Sequence, residues 1–252
     1  MKYKNDFLEG TVRFYKQNLE AIRSFKLSTN KENISHQNIV PYATYSPWYD
    51  DLDFLRTYEV CKENTLVDIY RCYELWSFIK KNNHLNGDIL EIGVWKGGTG
   101  SLLAKASELF SNGKVYLADT FCGVVKASDN DTVYKGGEHA DTSIEIVEKL
   151  INELKLHNTQ ILKGIFPDEV NFESLNLSEI QLKMCHIDVD TYDSAKDIML
   201  NIWPLMVKGG AVIFDDYGFW GCEGITKLVN EIKLENSVFI HNINGHGIFI
   251  KL

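Results

Sequence analysis

From Asp88 onward the chain repeats one pattern, a short apolar run followed by an amphipathic stretch, and few folds accept it. The runs are Ile89–Val94, Val115–Asp119, Thr159–Leu162, Met184–Asp188 and Ala211–Phe214, each rich in β-branched or aliphatic residues. Strands of this kind are covered on both faces, and their connections are helical crossovers, so a mainly parallel sheet is expected. The intervening helices are expected at Ser101–Phe110, Ser143–Leu154, Tyr192–Leu205 and Glu223–Leu234. In the second of these, Ile144, Val147, Ile151 and Leu154 form one stripe behind the candidate caps Thr142 and Ser143. Val238–Ile243 and Ile248–Leu252 flank Asn244-Gly245, a hairpin signal that ends the sheet with an antiparallel pair. The expectation is an α/β, Rossmann-like core of seven strands over residues 86–252, preceded by a helical and lid-like extension over 1–85. Within that extension, Asn30–Asp51 carries Tyr42, Tyr45, Trp48 and Tyr49, which either close over a ligand or simply pack.

Charge and cysteine usage narrow the function classes. With 26 Lys and Arg against 35 Asp and Glu, the formal charge of -9 argues against a nucleic-acid partner. No Arg follows Arg71, so an anion bound by the rest of the chain needs Lys, backbone amides or a metal. Cys61, Cys72, Cys122, Cys185 and Cys222 form no C-x-x-C pair and read as free thiols in a reducing compartment. MKYKNDFLEG has no apolar leader-like run, and nothing in the chain reaches the ~18 apolar residues of a membrane span. A cytoplasmic protein with a small-molecule partner and no membrane partner is expected, and homo-oligomerisation is left open.

Glu91-Ile92-Gly93-Val94-Trp95-Lys96-Gly97-Gly98-Thr99-Gly100 joins an expected strand to an expected helix, where glycines let a ligand approach the backbone. The spacing departs from G-x-G-x-x-G, which favours a looser turn around the amino-acid end of S-adenosylmethionine over a pyrophosphate cradle. Glu91 is then expected near the ligand's ammonium, with Gly93, Val94, Gly97 and Gly98 along the turn. Asp119 ends the next strand 26 residues after Gly93, about where an acid reaches ribose hydroxyls. Asp119-Thr120-Phe121 thus reads as the adenosine edge. The competing reading is a tight turn with Asp119 as a cap.

Asp188 and the pair Asp215-Asp216 follow apolar runs at equivalent ends of strands one crossover apart. Adjacent strands lie about 4.8 Å apart, so three carboxylates there repel unless something positive sits between them. A hard divalent cation, Mg²⁺, answers this and leaves positions for water and substrate oxygens. His186 precedes Asp188 by two residues and reads as a core residue or a support behind the site. Asp190 or Asp193 is the candidate cap of the helix near Tyr192, and Asp216 the start of a turn.

At these residues the sequence resembles the macrocin O-methyltransferase family, Mg²⁺-dependent enzymes that methylate sugar hydroxyls. The resemblance runs from about Thr65 to Gly221. Its carriers are Thr65-Leu66-Val67-Asp68, Leu90 to Gly98, Ala118 to Phe121, Gly164-Ile165-Phe166-Pro167-Asp168, Asp188 to Tyr192 and Asp215-Asp216-Tyr217. It implies a class I methyltransferase fold, whose sheet carries an antiparallel seventh strand. It implies Asp188, Asp215 and Asp216 as metal ligands, Asp188 also as general base and donor-side contact, and Asp119 on the ribose. Thr65 is implied at the methionine carboxylate, and Gly164 joins the donor-site set. Val189 departs from the Gly frequent in the family, and Gly123–Asp141 is short and unlike the antibiotic enzymes. The acceptor expected is a vicinal diol on a sugar or catechol-like ring.

Three other readings compete. Asp188-Val189-Asp190 matches the D-x-D of metal-dependent glycosyltransferases, although that leaves Glu91–Gly100 without a role. His186-Ile187-Asp188, with His241 or His246, matches the H-x-D of iron dioxygenases, which need a jelly roll. A catalytically silent ligand-binding relative is the third.

Overall fold

The computed structural model describes residues 45–252 apart from Asn176 and, before them, only Gly10, Phe14, Asn18, 26–29, 35–37, Ile39 and Ala43. Tyr42 lies outside the described residues, and with it one end of the expected lid. Met1–Ser46 and Pro47–Leu252 form two separate compact units. In the first, β1 (Lys26–Thr29) and β2 (Ser35–Gln37) pair antiparallel, where only helical pieces and loop were expected.

The second unit opens with α1 (Leu52–Cys61) and α2 (Ile69–Lys81), which pack on α3 (Gly98–Phe110). Residues 47–85 therefore group with the sheet. Asp51 caps α1 by accepting from the Phe54 amide, and Asp68 caps α2 by accepting from the Tyr70 and Arg71 amides. Trp48 packs edge-on against Tyr70 and Tyr73 of α2, while Tyr45 and Tyr49 are exposed.

Seven strands follow in the spatial order β5-β4-β3-β6-β7-β9-β8. They are β3 (Asp88–Ile92), β4 (Val115–Asp119), β5 (Thr159–Lys163), β6 (Leu182–Ile187), β7 (Met206–Phe214), β8 (Ser237–Asn242) and β9 (His246–Lys251). The first five pair in parallel and β9 runs antiparallel to both β7 and β8. The helices between them are α4 (Ile144–Leu154), α5 (Tyr192–Ile202) and α6 (Glu223–Glu231). Ser143 caps α4, accepting from the Ile146 amide. Helix α3 begins three residues earlier than its apolar pattern suggests, because Gly97 adopts φ +85° and turns the chain into it.

Alternation along the strands divides the core. Leu90, Ile92, Tyr116, Ala118, Cys185, Ile187, Val212 and Phe214 face α5 and α6. Ile89, Val115, Leu117, Met184, Ala211 and Ile213 face α1, α2 and α3. From β3 the chain winds outward to β5, then returns to place β6 on the other side of β3. That reversal opens a crevice beyond the carboxyl ends of β3 and β6, where ligands of open α/β sheets bind. No helix among the described residues is long and apolar enough to cross a membrane.

Candidate functional site

A cavity of about 330 Å³ occupies this crevice, within the range of small-molecule sites. Of the residues singled out in the sequence, Thr65, Gly93, Val94, Asp119, Thr120, Gly164, Asp188, Asp215 and Asp216 line it. Glu91, Gly97, Gly98 and Phe121 do not.

Glu91 is fully buried in β3 beside His186 on β6, and its Oε1 meets His186 Nδ1 at 2.9 Å. It faces the interior of the sheet rather than the ligand space. Gly97 and Gly98 serve packing: a Cβ on Gly98 would stand 2.6 Å from the Asn64 carbonyl oxygen. This approach seats Thr65 on α3, where its hydroxyl lies 2.9 Å from that of Thr99. Asp119 accepts from the Trp95 amide at 2.7 Å and the Phe121 amide at 2.6 Å. Burial raises the Asp119 carboxyl, and those backbone bonds oppose it.

In the same cavity, Asp188, Asp215 and Asp216 place one oxygen each within 4.8 Å of one another. The three differ in surroundings. Asp215 is buried, with Oδ2 accepting from Arg71 at 2.5 Å and Oδ1 accepting from His246 Nε2 at 2.9 Å. His186 Nε2 lies 3.8 Å from Oδ1, an ion-pair distance rather than a hydrogen bond. Burial alone would raise Asp215, but His186, His246 and Arg71 hold it far below the usual carboxylate range. Burial alone would lower His186, yet Asp215 and Glu91 push it up to about 10.

Part of the positive charge that the sequence assigned to a metal is therefore supplied by the protein. It pairs directly with Asp215, while its pull on Asp188 and Asp216 is outweighed there. Asp188 and Asp216 form no ion pair among the described residues, and burial followed by the charge of Asp215 pushes both well above the carboxylate range. Two oxygen donors facing the cavity with no cation of their own fit a hard divalent ion. Asp188, Asp216 and the remaining lone pairs of Asp215 would hold it.

Asp190 does not cap α5. Asp131, from the loop before α4, accepts from the Tyr192 amide at 2.9 Å, while Asp190 lines the cavity beside Tyr134 and Asp216. Tyr134 and His139 come from the same loop, with the Tyr134 hydroxyl 3.4 Å from His139 Nε2. Sequence reasoning missed Tyr134 and Asp131, and it named Arg71 and His246 without linking either to Asp215. The one available signal was Arg71, the last Arg of the chain, three residues after Asp68 in the Thr65–Asp68 segment.

A family model for macrocin-O-methyltransferase (TylF) matches residues 64–251. The chain belongs to the macrocin-O-methyltransferase family. Mycinamicin III 3''-O-methyltransferase of Micromonospora griseorubida is 29% identical over 150 residues, covering 54% of this chain and 57% of that family relative. Demethyldecarbamoylnovobiocin O-methyltransferase of Streptomyces niveus is 26% identical over 168 residues, covering 61% of this chain and 62% of the relative. A third relative, from Streptomyces olivaceus, is 8-demethyl-8-(2,3-dimethoxy-alpha-L-rhamnosyl)-tetracenomycin-C 4'-O-methyltransferase. It is 26% identical over 176 residues, covering 65% of each chain. The chain thus spans less than two thirds of the length of these relatives.

Among solved structures, the O-methyltransferase NovP superposes with a TM-score of 0.63 at 24% identity, covering 75% of this chain and 82% of the other. A calicheamicin methyltransferase gives 0.64 at 14% identity, covering 82% and 94%. An O-methyltransferase from Bacillus cereus in complex with SAH gives 0.51 at 18%, covering 81% and 93%. These similarities show a class I methyltransferase fold. The jelly roll required by the dioxygenase reading is excluded.

Proposed function

We propose that the protein moves a methyl group from S-adenosylmethionine to a hydroxyl of a sugar or other small natural product, with Mg²⁺ at Asp188, Asp215 and Asp216. The observation that carries this reading is one cavity lined by two unlike sets of residues: Thr65, the Gly93-Val94 turn and Asp119, and the carboxylates of Asp188, Asp215 and Asp216. The relatives, which methylate mycinamicin III, demethyldecarbamoylnovobiocin and a rhamnosyl tetracenomycin, support the acceptor class.

The donor's sulfonium is already activated, so the protein's task is to align an acceptor oxygen behind the methyl group and to take its proton. Asp119 and Thr65 orient the donor. Asp188, whose backbone crosses Gly93 at close range and whose carboxylate lines the same cavity, accepts the proton. A bound divalent cation would make an acceptor hydroxyl more acidic. Adjacent hydroxyls would suit such a site, which favours a vicinal diol. Tyr134, His139 and Val125 form the wall facing the acceptor.

The D-x-D glycosyltransferase reading is separated by the donor. A thermal shift with S-adenosylhomocysteine and none with UDP is expected; stabilisation by UDP alone would reject the methyltransferase reading.

A further inference from the structure

Among the described residues, Asp215 is the one member of the triad with a hydrogen bond to each oxygen, and neither partner belongs to the parallel strands. Arg71 comes from α2 and His246 opens β9, so the contacts span 144 and 31 residues. Each partner is itself held. Arg71 Nε donates to Asp68 Oδ2 at 2.8 Å, and its guanidinium lies 4.5 Å over the Phe219 ring. His246 Nδ1 meets Glu74 Oε2, while Glu74 Oε1 accepts from Asn242 at 2.6 Å. Asp68, Arg71 and Glu74 recur every third residue, so one face of α2 organises both contacts. Arg71, Asp215 and His246 are 5%, 3% and 0% exposed, which leaves bulk water no part in the arrangement.

We infer that Arg71 and His246 are positioning residues for the cation site, clamping Asp215 by opposite oxygens so that its remaining lone pairs face Asp188 and Asp216. The inference rests on the cation of the proposed function. A carboxylate offers about four acceptor directions; two are spent on the clamp, which fixes the other two. Partners that orient a metal ligand in this way alter metal affinity by about 10–100-fold when removed. A brace that served stability alone would leave the affinity of the folded protein untouched.

The test compares Mn²⁺ binding, by electron paramagnetic resonance of the free ion, with S-adenosylhomocysteine binding by calorimetry, on the full chain. Arg71→Met and His246→Ala are expected to weaken Mn²⁺ by about 10–100-fold with the nucleoside affinity unchanged. His246→Gln, which keeps an N–H donor near Nε2, is expected to recover most of the loss. If the buried variants do not fold, Glu74→Gln keeps the question answerable. The Glu74 side chain is 29% exposed and, among the described residues, meets His246 and Asn242, and its variant is expected to weaken Mn²⁺ several-fold. Folded variants that bind Mn²⁺ as tightly as the unaltered protein would overturn the inference alone. Unaltered protein that binds the nucleoside but no Mn²⁺ would overturn the cation reading beneath it.

Discussion

Gly93→Ala tests whether the close crossing of two strand ends positions Asp188. Gly93 has φ +90°, and an added Cβ would overlap the carbonyl oxygen of Asp188 and lie 2.6 Å from its carbonyl carbon. Both partners are pinned: the Gly93 amide donates to Ala118, and the Asp188 amide donates to Ile92, each at 2.9 Å. Gly137 is the matched control, with φ +91° and nothing within 4 Å of an added Cβ. The backbone penalty of about 1 kcal/mol is common to both variants. Overpacking against backbone adds about 3 kcal/mol at Gly93 alone. Thermal unfolding followed by circular dichroism should show Gly93→Ala losing about 8–16 °C and Gly137→Ala about 2–4 °C, at 2–4 °C per kcal/mol for a unit of this size. Equal losses in the two variants would refute the close approach and the placement of Asp188 argued from it.

The remaining predictions concern chemistry and the helical layer. Asp188→Asn should lower kcat by at least ~10²-fold while S-adenosylhomocysteine still stabilises the fold; normal turnover would remove Asp188 as base. Chelation with EDTA should abolish methyl transfer and added Mg²⁺ should restore it, whereas full activity in chelator would exclude the cation from the reaction. Asp51→Ala removes the cap of α1 and leaves the Trp76 indole N–H, now 3.1 Å from Asp51, without its acceptor; a loss of about 3 kcal/mol in chemical denaturation is expected. The Asp51 carboxyl is held low: burial would raise it, but Lys80, the Phe54 amide and Trp76 outweigh burial. Its ionised form therefore stabilises the fold above the unfolded value near 4, and that contribution is lost as pH falls through the lower folded value. The stability gap between unaltered protein and Asp51→Asn should close in acid below about pH 4, and a gap that persists there would refute the assignment.

The sheet was legible because its evidence is local. Each strand from β3 to β7 carries its own apolar run, and Asn244-Gly245 marks the hairpin without reference to anything distant. The ends of strands were readable as a place for carboxylates for the same reason. What escaped was the identity of their neighbours. Glu91 reads as a ligand contact because it precedes a glycine turn, but the pairing of β3 with β6 sets it opposite His186 in the interior. Asp190 reads as the cap of α5 by proximity, yet Asp131 reaches that amide from 61 residues away. Arg71 and His246 carry no periodic signal linking them to Asp215. Repulsion among the carboxylates was therefore assigned to a metal in full, although the fold itself answers it at one of the three.

The loop between β4 and α4 is fastened at several points, among them residues 130–132. Asp131 takes the Tyr192 and Ser128 amides, Thr132 bonds Glu223, and Asn130 accepts from Lys227 at 3.0 Å. Tyr134 and His139, which face the cavity, lie outside that stretch. Between residues 130 and 139, the fastening side chains and the cavity-facing ones are thus different letters of the same segment. Exchange of Tyr134 and His139 leaves these fastenings in place, so this part of the cavity wall can change without rebuilding the frame that holds it.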